Sequence, residues 1–171
     1  MPERGFSNLK ALIVEDNAHM RSLLRALLNA IGIKDISDAT HGGTALEILR
    51  ERKCDLVLTD LAMKPMDGLE FTRQVRNSEN SPNPFVPIIM ITGHTEKHRV
   101  EAARDAGVTE FLAKPITAAA LFARIAEIVE RPRAFVRCDS YFGPDRRRRT
   151  IENFAGPWRR ADDFNDQVDV R

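Results

Sequence analysis

The sequence is poor in the residues and runs that mark several classes of protein. Its two cysteines, Cys54 and Cys138, lie far apart and have no metal-ligand spacing, which argues against a disulfide scaffold and for a reducing cytoplasm. No apolar run approaches the roughly 20 residues needed to cross a bilayer. The start, MPERGFSNLK, has no apolar stretch of the kind found in secretory signal peptides. These absences predict a cytoplasmic protein without membrane association.

Charge is unevenly distributed along the chain, although the net charge is only +1. Residues 1–130 hold 16 Lys and Arg against 18 Asp and Glu, whereas residues 131–171 hold 10 against 7. All six lysines fall in the first part, so the basic side chains of the second are arginines. Arginine's planar fork favours bidentate recognition and stacking over simple charge attraction. We therefore divide the chain into a leader (1–8), a domain (9–130) and a C-terminal extension (131–171).

Apolar runs and amphipathic segments alternate through the first 130 residues. The pattern predicts five short buried strands, at residues 9–14, 34–37, 55–59, 86–92 and 110–113. Each strand is followed by a segment with helical spacing, at residues 15–32, 43–52, 68–76, 97–106 and 117–130. Because crossovers between parallel strands are right-handed, this order predicts a doubly wound parallel α/β sheet of five strands.

Polar side chains end or directly follow four of the five predicted strands. They are Glu15 and Asp16, Asp60, Thr92, and Lys114. Ligand sites of doubly wound sheets lie beyond the carboxyl ends of the strands, so these residues should converge on one edge. Crowded carboxylates repel one another, and a hard divalent cation with oxygen ligands relieves the repulsion. The sequence therefore predicts a Mg²⁺ site.

The chemistry open to this cluster is narrow. The sequence has no His–carboxylate–Ser arrangement near it, which disfavours acyl transfer, and no Gly-x-x-x-x-Gly-Lys loop, which disfavours nucleoside triphosphate hydrolysis. What remains is a carboxylate nucleophile that accepts a phosphoryl group, with a metal ion and Lys114 neutralising the oxygens and a hydroxyl donating to one of them.

Four segments, LIVEDN, LVLTDLAMKPMDG, IIMITGH and EFLAKP, resemble the signature segments of receiver domains in two-component response regulators. The resemblance covers residues 8–130 and implies a flavodoxin-like receiver fold. It implies a bacterial phosphoprotein of a phosphorelay that carries an aspartyl phosphate and is not an enzyme beyond slow self-dephosphorylation. Its partners would be a histidine kinase or histidine phosphotransfer protein and a downstream protein target.

The resemblance also implies a role for each residue of the cluster. Asp60 would be the phosphoacceptor. Asp16 and Asp60 would bind Mg²⁺ directly, together with the backbone carbonyl of Ala62, while Glu15 would act mainly through water. Thr92 and Lys114 would hold the phosphoryl oxygens.

Further positions follow from the same resemblance. The Lys114–Pro115 bond would be cis, and Phe111 would be the aromatic switch residue that turns inward on activation. Ala62 and His94 stand where the family tunes the lifetime of the phosphoryl group. Two positions depart from the family: Lys64 stands where a proline is usual, and Phe111 replaces a tyrosine.

The C-terminal extension contains the unit Gly-Pro-x-Arg-Arg twice, at 143–147 and 156–160, with aromatic residues close by. It is too short for a DNA-binding domain with its own core, so specific DNA binding is not expected. Residues 134–142 could form a short strand or lie on the receiver domain, and the rest should have little regular structure.

Three interpretations of the extension stay open. It could bind a downstream protein target, or clasp cyclic diguanylate as some receiver proteins with similar arginine-rich extensions do, or contact nucleic acid nonspecifically. Aspartates after Arg160 disfavour the last. The candidate binding residues are Arg146, Arg147, Arg148, Arg149, Trp158, Arg159 and Arg160.

Overall fold

A five-stranded parallel sheet forms the centre of the protein, with the strand order β2-β1-β3-β4-β5. The computed structural model describes residues 5–93, 97–146 and 166–168. The strands are β1 Lys10–Val14, β2 Asp35–Ala39, β3 Leu56–Asp60, β4 Ile88–Thr92 and β5 Glu110–Ala113. The strand order reverses at β1, as in doubly wound sheets. The predicted fold class is thus confirmed.

Five helices connect and follow the strands: α1 Ala18–Ala30, α2 Gly42–Glu51, α3 Gly68–Asn77, α4 Lys97–Ala106 and α5 Ala118–Glu130. The side chains of Asn17, Asp67 and Thr117 accept hydrogen bonds from the first turns of α1, α3 and α5. Such caps satisfy backbone N–H groups that have no partner within the helix, and they define where each helix begins. Over the described ranges, no helix is long and apolar enough to cross a membrane.

Apolar side chains cover both faces of the sheet. Leu24 and Leu28 of α1 pack on one face with Leu121 of α5, beside the short 3₁₀ turn Phe6–Asn8. Residues from α2 and α3, including Phe71, pack on the other. Every residue of β3 and β4 is buried. The two central strands therefore form a rigid support for the residues at their carboxyl ends.

The chain continues past α5 into an antiparallel hairpin, formed by β6 (Phe135–Cys138) and β7 (Tyr141–Pro144). A third short strand, β8 (Asp166–Val168), pairs with β6. The expectation that residues 134–142 form a short strand or lie on the receiver domain agrees with this hairpin, whereas the expectation of little regular structure for the rest of the extension is wrong at Gly143, Pro144 and β8. An isolated hairpin has only marginal stability in water, but this hairpin packs against the domain. The rings of Phe135 and Phe142 lie 5.2 and 5.4 Å from the ring of Phe85.

A buried arginine joins the hairpin to the domain. Arg76 of α3 is 2% exposed, and its guanidinium donates to the carbonyl oxygens of Gly107, Pro84 and Val86 at 2.7–2.9 Å. The same group lies 5.0 Å from the centre of the Phe135 ring. Burial lowers the pKa of Arg76 to about 9. The side chain of Arg76 thus contacts the loop before β4, the loop before β5 and the first strand of the hairpin.

Two glycines let the hairpin approach the domain closely. Gly107 follows α4 with a φ of +100°, a conformation that favours glycine. A β-carbon on Gly143 of β7 would lie only 2.9 Å from the Cα atom of Gly107. Both positions therefore require the absence of a side chain.

Candidate functional site

Three carboxylates meet at the carboxyl edge of the sheet. Oxygen atoms of Glu15, Asp16 and Asp60 lie within 4.8 Å of one another. Asp60 ends β3, and Glu15 directly follows β1, whose Val14 pairs with Thr59 of β3. The parallel register of these two adjacent strands is what brings the acidic residues together.

Glu15 is the buried member of this group, with 2% of its surface exposed. Its Oε1 accepts a hydrogen bond from the backbone N–H of Asn17 at 3.0 Å. Its Oε2 is also buried and has no hydrogen-bond partner among the residues that the structure describes. Desolvation, with a smaller contribution from the charge of Asp60, raises the pKa of Glu15 to about 7. The cluster thus has an excess of negative charge and an unused buried acceptor, and both fit a divalent cation held by oxygen ligands.

A cation from the chain itself already contacts the cluster. The Nζ atom of Lys114 lies 3.0 Å from Oδ1 of Asp60. Lys114 follows β5, and its backbone N–H donates to the carbonyl oxygen of Thr92 at 3.0 Å. Thr92 ends β4 and is buried, and the Lys114–Pro115 bond is cis. An ammonium group therefore contacts Asp60, and a residue with a hydroxyl group ends the adjacent strand; these are the two residue types that stabilise a phosphoryl group.

The loop after Asp60 is shaped by a glycine that sequence reasoning did not single out. Gly68 begins α3, and its N–H donates to the carbonyl oxygen of Leu61 at 3.0 Å. A β-carbon on Gly68 would lie 2.2 Å from the backbone oxygen of Asp60. Ala62 and Lys64, between these two points, are exposed, and the Lys64–Pro65 bond is cis. The start of α3 thus packs directly on the backbone of Asp60.

Phe111 is half-buried in the middle of β5, where it pairs with Met90 of β4. It packs against a small apolar cluster that contains Leu61, Met90, Ala103 and Val108. Leu61 is the residue after Asp60, and Lys114 comes three positions after Phe111. The predicted switch residue therefore packs against the apolar cluster that contains the neighbour of the predicted phosphoacceptor.

The structure places one candidate residue of the extension. Arg146 pairs with Asp105 at 3.1 Å, and its guanidinium lies 4.1 Å from the centre of the Tyr141 ring. Because Asp105 is near the end of α4, this position is at the edge of the sheet opposite the acidic cluster. The other candidates, and His94, lie outside the described residues: Arg147, Arg148, Arg149, Trp158, Arg159 and Arg160.

A second charged group was not predicted. Glu110 begins β5 and is 3% exposed, and its carboxylate accepts from Arg133 at 2.6 Å and lies 3.7 Å from Arg124. The only hint in the sequence is a carboxylate at the start of the apolar strand EFLA. Its arginine partners come from α5 and from the chain just before the hairpin, which spacing alone does not reveal.

Known proteins resemble this chain over the same part. Residues 11–126 match the response regulator receiver domain family. The chain is 35% identical over 124 residues to the chemotaxis protein CheY-3 of Vibrio cholerae, covering 72% of this chain and 94% of that protein. It is 34% identical over 123 residues to the chemotaxis protein CheY of Pseudomonas aeruginosa, covering 72% and 98%.

Solved structures agree with the sequence comparison. The chemotaxis protein CheY4 of Vibrio cholerae has a TM-score of 0.65 at 28% identity, covering 70% of this chain and 98% of that one. The receiver domain of a sensor histidine kinase from Pseudomonas aeruginosa has a TM-score of 0.64 at 28% identity, covering 71% and 98%, and holds a magnesium ion in its active-site cleft. With the acidic cluster at the carboxyl ends of β1 and β3, these matches show that the chain belongs to the response regulator receiver domain family, whose members are phosphoacceptor signalling domains of two-component systems.

Proposed function

We propose that Asp60 accepts a phosphoryl group from the phosphohistidine of a histidine kinase or a histidine phosphotransfer protein. The observation that carries this proposal is the contact of 3.0 Å between Lys114 Nζ and Asp60 Oδ1 inside a cluster of carboxylates. Because Lys114 pairs with one oxygen of Asp60, the other oxygen is available to attack phosphorus. The ammonium group of Lys114 then pairs with the phosphoryl oxygens as negative charge develops on them.

The transfer exchanges one bond for another. A carboxylate oxygen of Asp60 forms a bond to phosphorus as the P–N bond to the donor's imidazole breaks, and the imidazole nitrogen leaves with the bonding pair and takes up a proton. Lys114 compensates charge on one phosphoryl oxygen, and the Thr92 hydroxyl donates to another. The reaction needs no general base, since Asp60 attacks as a carboxylate.

Asp16, Asp60, the Ala62 carbonyl and, through water, Glu15 would hold Mg²⁺. The unpartnered buried Oε2 of Glu15 and the convergence of three carboxylates support this assignment. When bound, the ion would supply positive charge to the cluster and to the phosphoryl oxygens. Glu15 and Asp16 then act as orienting ligands, and the exposed position of Asp16 leaves the site open to a donor protein.

The output of this domain would be a change of protein–protein contacts. Thr92 and Phe111 would move inward on phosphorylation and alter the surface formed by α4, β5 and α5. The extension begins at the end of α5 and would modulate the binding of a downstream target in the cytoplasm. The duplicated Gly-Pro-x-Arg-Arg unit favours a second candidate for the extension, the binding of cyclic diguanylate.

Phosphorylation is tested by incubating the full chain with phosphoramidate and Mg²⁺ and measuring its intact mass. We expect the addition of one phosphoryl group, which hydroxylamine removes as an acyl phosphate. Asp60→Asn should take no label, whereas Asp139→Asn, at an exposed carboxylate in the hairpin turn, should label like the unmodified chain. A full chain that takes no label from any phosphodonor would be an interaction-only receiver, and the proposal would be wrong.

The candidates for the extension are separated by calorimetry of the full chain with cyclic diguanylate. Binding that disappears in a variant with alanine at Arg147, Arg148 and Arg149 would establish the nucleotide as the ligand. An absence of heat at high ligand concentration would leave the protein-target role, which a pull-down with the phosphorylated chain examines.

A further inference from the structure

A cavity lies between the end of α4, the start of β5 and the hairpin of β6 and β7, away from the acidic cluster. We infer that it binds a small phosphorylated compound. Its volume is about 160 Å³, many times what a single water molecule requires. Three arginines line it: Arg104 at the end of α4, Arg133 before β6, and Arg146 after β7.

The lining of this cavity has an excess of positive charge. Glu110 is the carboxylate in its wall, and it is already shared between Arg133 and Arg124. Arg146 pairs with Asp105, whose side chain is 64% exposed and therefore well hydrated. A surface carboxylate of this kind holds its partner weakly, since solvent screens the pair. The lining thus holds three guanidinium groups against one carboxylate, and an incoming anion meets this excess of positive charge.

Two of the arginines are held in place before any ligand arrives. The contact of 2.6 Å with buried Glu110 fixes Arg133. The ring of Tyr141 lies under the guanidinium of Arg146, and the Tyr141 hydroxyl donates to the carbonyl oxygen of Pro144 at 2.8 Å. Both arginine side chains are only 21% exposed. Ordering these groups in advance lowers the entropy cost of binding, which favours a specific site over a diffuse basic surface.

The geometry of the donors defines the ligand class. Guanidinium groups pair with phosphoryl and carboxylate oxygens through parallel N–H bonds, and several arginines around one space suit a group with several anionic oxygens. A phosphate ester meets this description better than a single carboxylate. The hairpin supplies Tyr141, and the residues that flank it supply Arg133 and Arg146, so the extension completes a site that the receiver domain lacks on its own.

Phe111 forms part of the same wall. A bound ligand would touch the side chain that we propose to move on phosphorylation of Asp60. This consequence for signalling rests on the proposed function, whereas the site itself does not, and the experiment below needs no phosphorylation.

The test titrates the ¹⁵N-labelled full chain with sodium pyrophosphate, without Mg²⁺ and at constant ionic strength, and follows the backbone amides by NMR. We expect saturable shifts at Arg104, Phe111, Tyr141 and Arg146. Arg104→Ala should weaken binding at least tenfold, and because Arg104 is exposed, the fold should survive the change. Arg146→Ala should weaken it similarly, and Arg146→Lys less.

Two controls separate this site from other basic groups. Arg73→Ala removes a guanidinium that is 51% exposed on α3 and should change Kd by less than a factor of two. Lys114→Ala should leave the shifts around Arg104 unchanged. The inference is overturned if Arg73→Ala weakens binding as much as Arg104→Ala, or if the shifts centre on Lys114 or on Arg147–Arg149 and persist in the Arg104 variant.

Discussion

Glu15 is a buried carboxyl group with a pKa of about 7, so its ionisation makes the stability of the folded protein depend on pH. The folded state binds the proton of Glu15 more tightly than the unfolded chain does, where the pKa is close to 4.5. The stability contributed by this group is therefore complete below about pH 4.5 and is lost as the pH rises to about 7. Above that window, Glu15 is ionised in both states.

Glu15→Gln should remove this pH dependence. In EDTA, the free energy of unfolding of the unmodified chain should fall relative to that of the variant between pH 5 and pH 8, by on the order of 2 kcal/mol. Urea denaturation at both pH values measures the difference. Glu47→Gln, at an exposed carboxylate of α2, should show no such trend. Saturating Mg²⁺ should abolish the effect, because a bound cation favours ionised Glu15; a difference that persists would contradict this account.

Asp60→Asn and Lys114→Met should have opposite effects on stability in the absence of Mg²⁺. The first removes a charge from a crowded cluster and should raise the free energy of unfolding. The second removes the ammonium group 3.0 Å from Asp60 and should lower it by about 1–2 kcal/mol. Urea denaturation in EDTA measures both. Changes of the same sign in the two variants would show that repulsion among the carboxylates does not govern this site.

Single residues also show what sequence reasoning captures. The sequence predicts that Asp60 and Lys114 lie at the same edge of the sheet. Each follows a short apolar strand, and the carboxyl ends of parallel strands lie together. Arg76 and Glu110 could not be placed in the interior, since a charged residue is ordinarily predicted at the surface. Their partners are backbone carbonyls and distant arginines, which only the folded chain brings near.

Among the elements, the start of α3 determines the position of the phosphoacceptor loop. Gly68→Ala would place a β-carbon 2.2 Å from the backbone oxygen of Asp60, so β3 or α3 must shift. We expect a loss of at least about 2 kcal/mol in the free energy of unfolding and slower phosphorylation by phosphoramidate.

Gly43→Ala is the matched control for this change. Gly43 also lies in the first turn of a helix, and an added β-carbon would approach only the His41 side chain, at 3.2 Å. Its effect should stay within about 1 kcal/mol, because alanine is itself a better helix former than glycine. Equal losses in the two variants would show that glycine in the first helical turn matters in general, and not the contact with Asp60.

The limits of the elements show where local pattern fails. β4 begins at Ile88 and not at the predicted Val86, because Pro87 has no N–H to donate to a neighbouring strand. β2 extends to Ala39, past the predicted Ser37, because its register with β1 continues from Lys10–Asp35 to Val14–Ala39. The sequence DISDA has little apolar character, so the pairing partner defines this strand.

At the scale of the whole molecule, the hairpin of β6 and β7 is part of the core and not an appendage. Phe135 and Phe142 are 4% and 3% exposed. The aromatic residues were visible in the sequence, but the surface around Phe85 and Arg76 that receives them was not. Because an isolated hairpin is only marginally stable, two short strands in a sequence predict a hairpin only when the surface that the hairpin packs against is also known.

Phe142→Ala should therefore destabilise the entire chain in a single transition. The change removes a buried ring that contacts Phe85 and Phe135, and we expect a loss of about 3 kcal/mol. Urea denaturation followed by the backbone amide NMR signals of the hairpin and of the sheet measures it. Val129→Ala, at a side chain that is 47% exposed on α5, should cost less than about 1 kcal/mol. If the hairpin unfolded separately, at lower urea than the sheet, the hairpin would be an independent unit.

The close approach of Gly107 and Gly143 lets one substitution act on the hairpin without touching the acidic cluster. In Gly143→Val, the added side chain would act as a wedge between β7 and the loop after α4, while the residues of the acidic cluster lie at the other edge of the sheet. Because the hairpin belongs to the core, the whole chain should lose stability. At a temperature where this variant still folds, a signalling step that it loses while it accepts a phosphoryl group normally would depend on the hairpin.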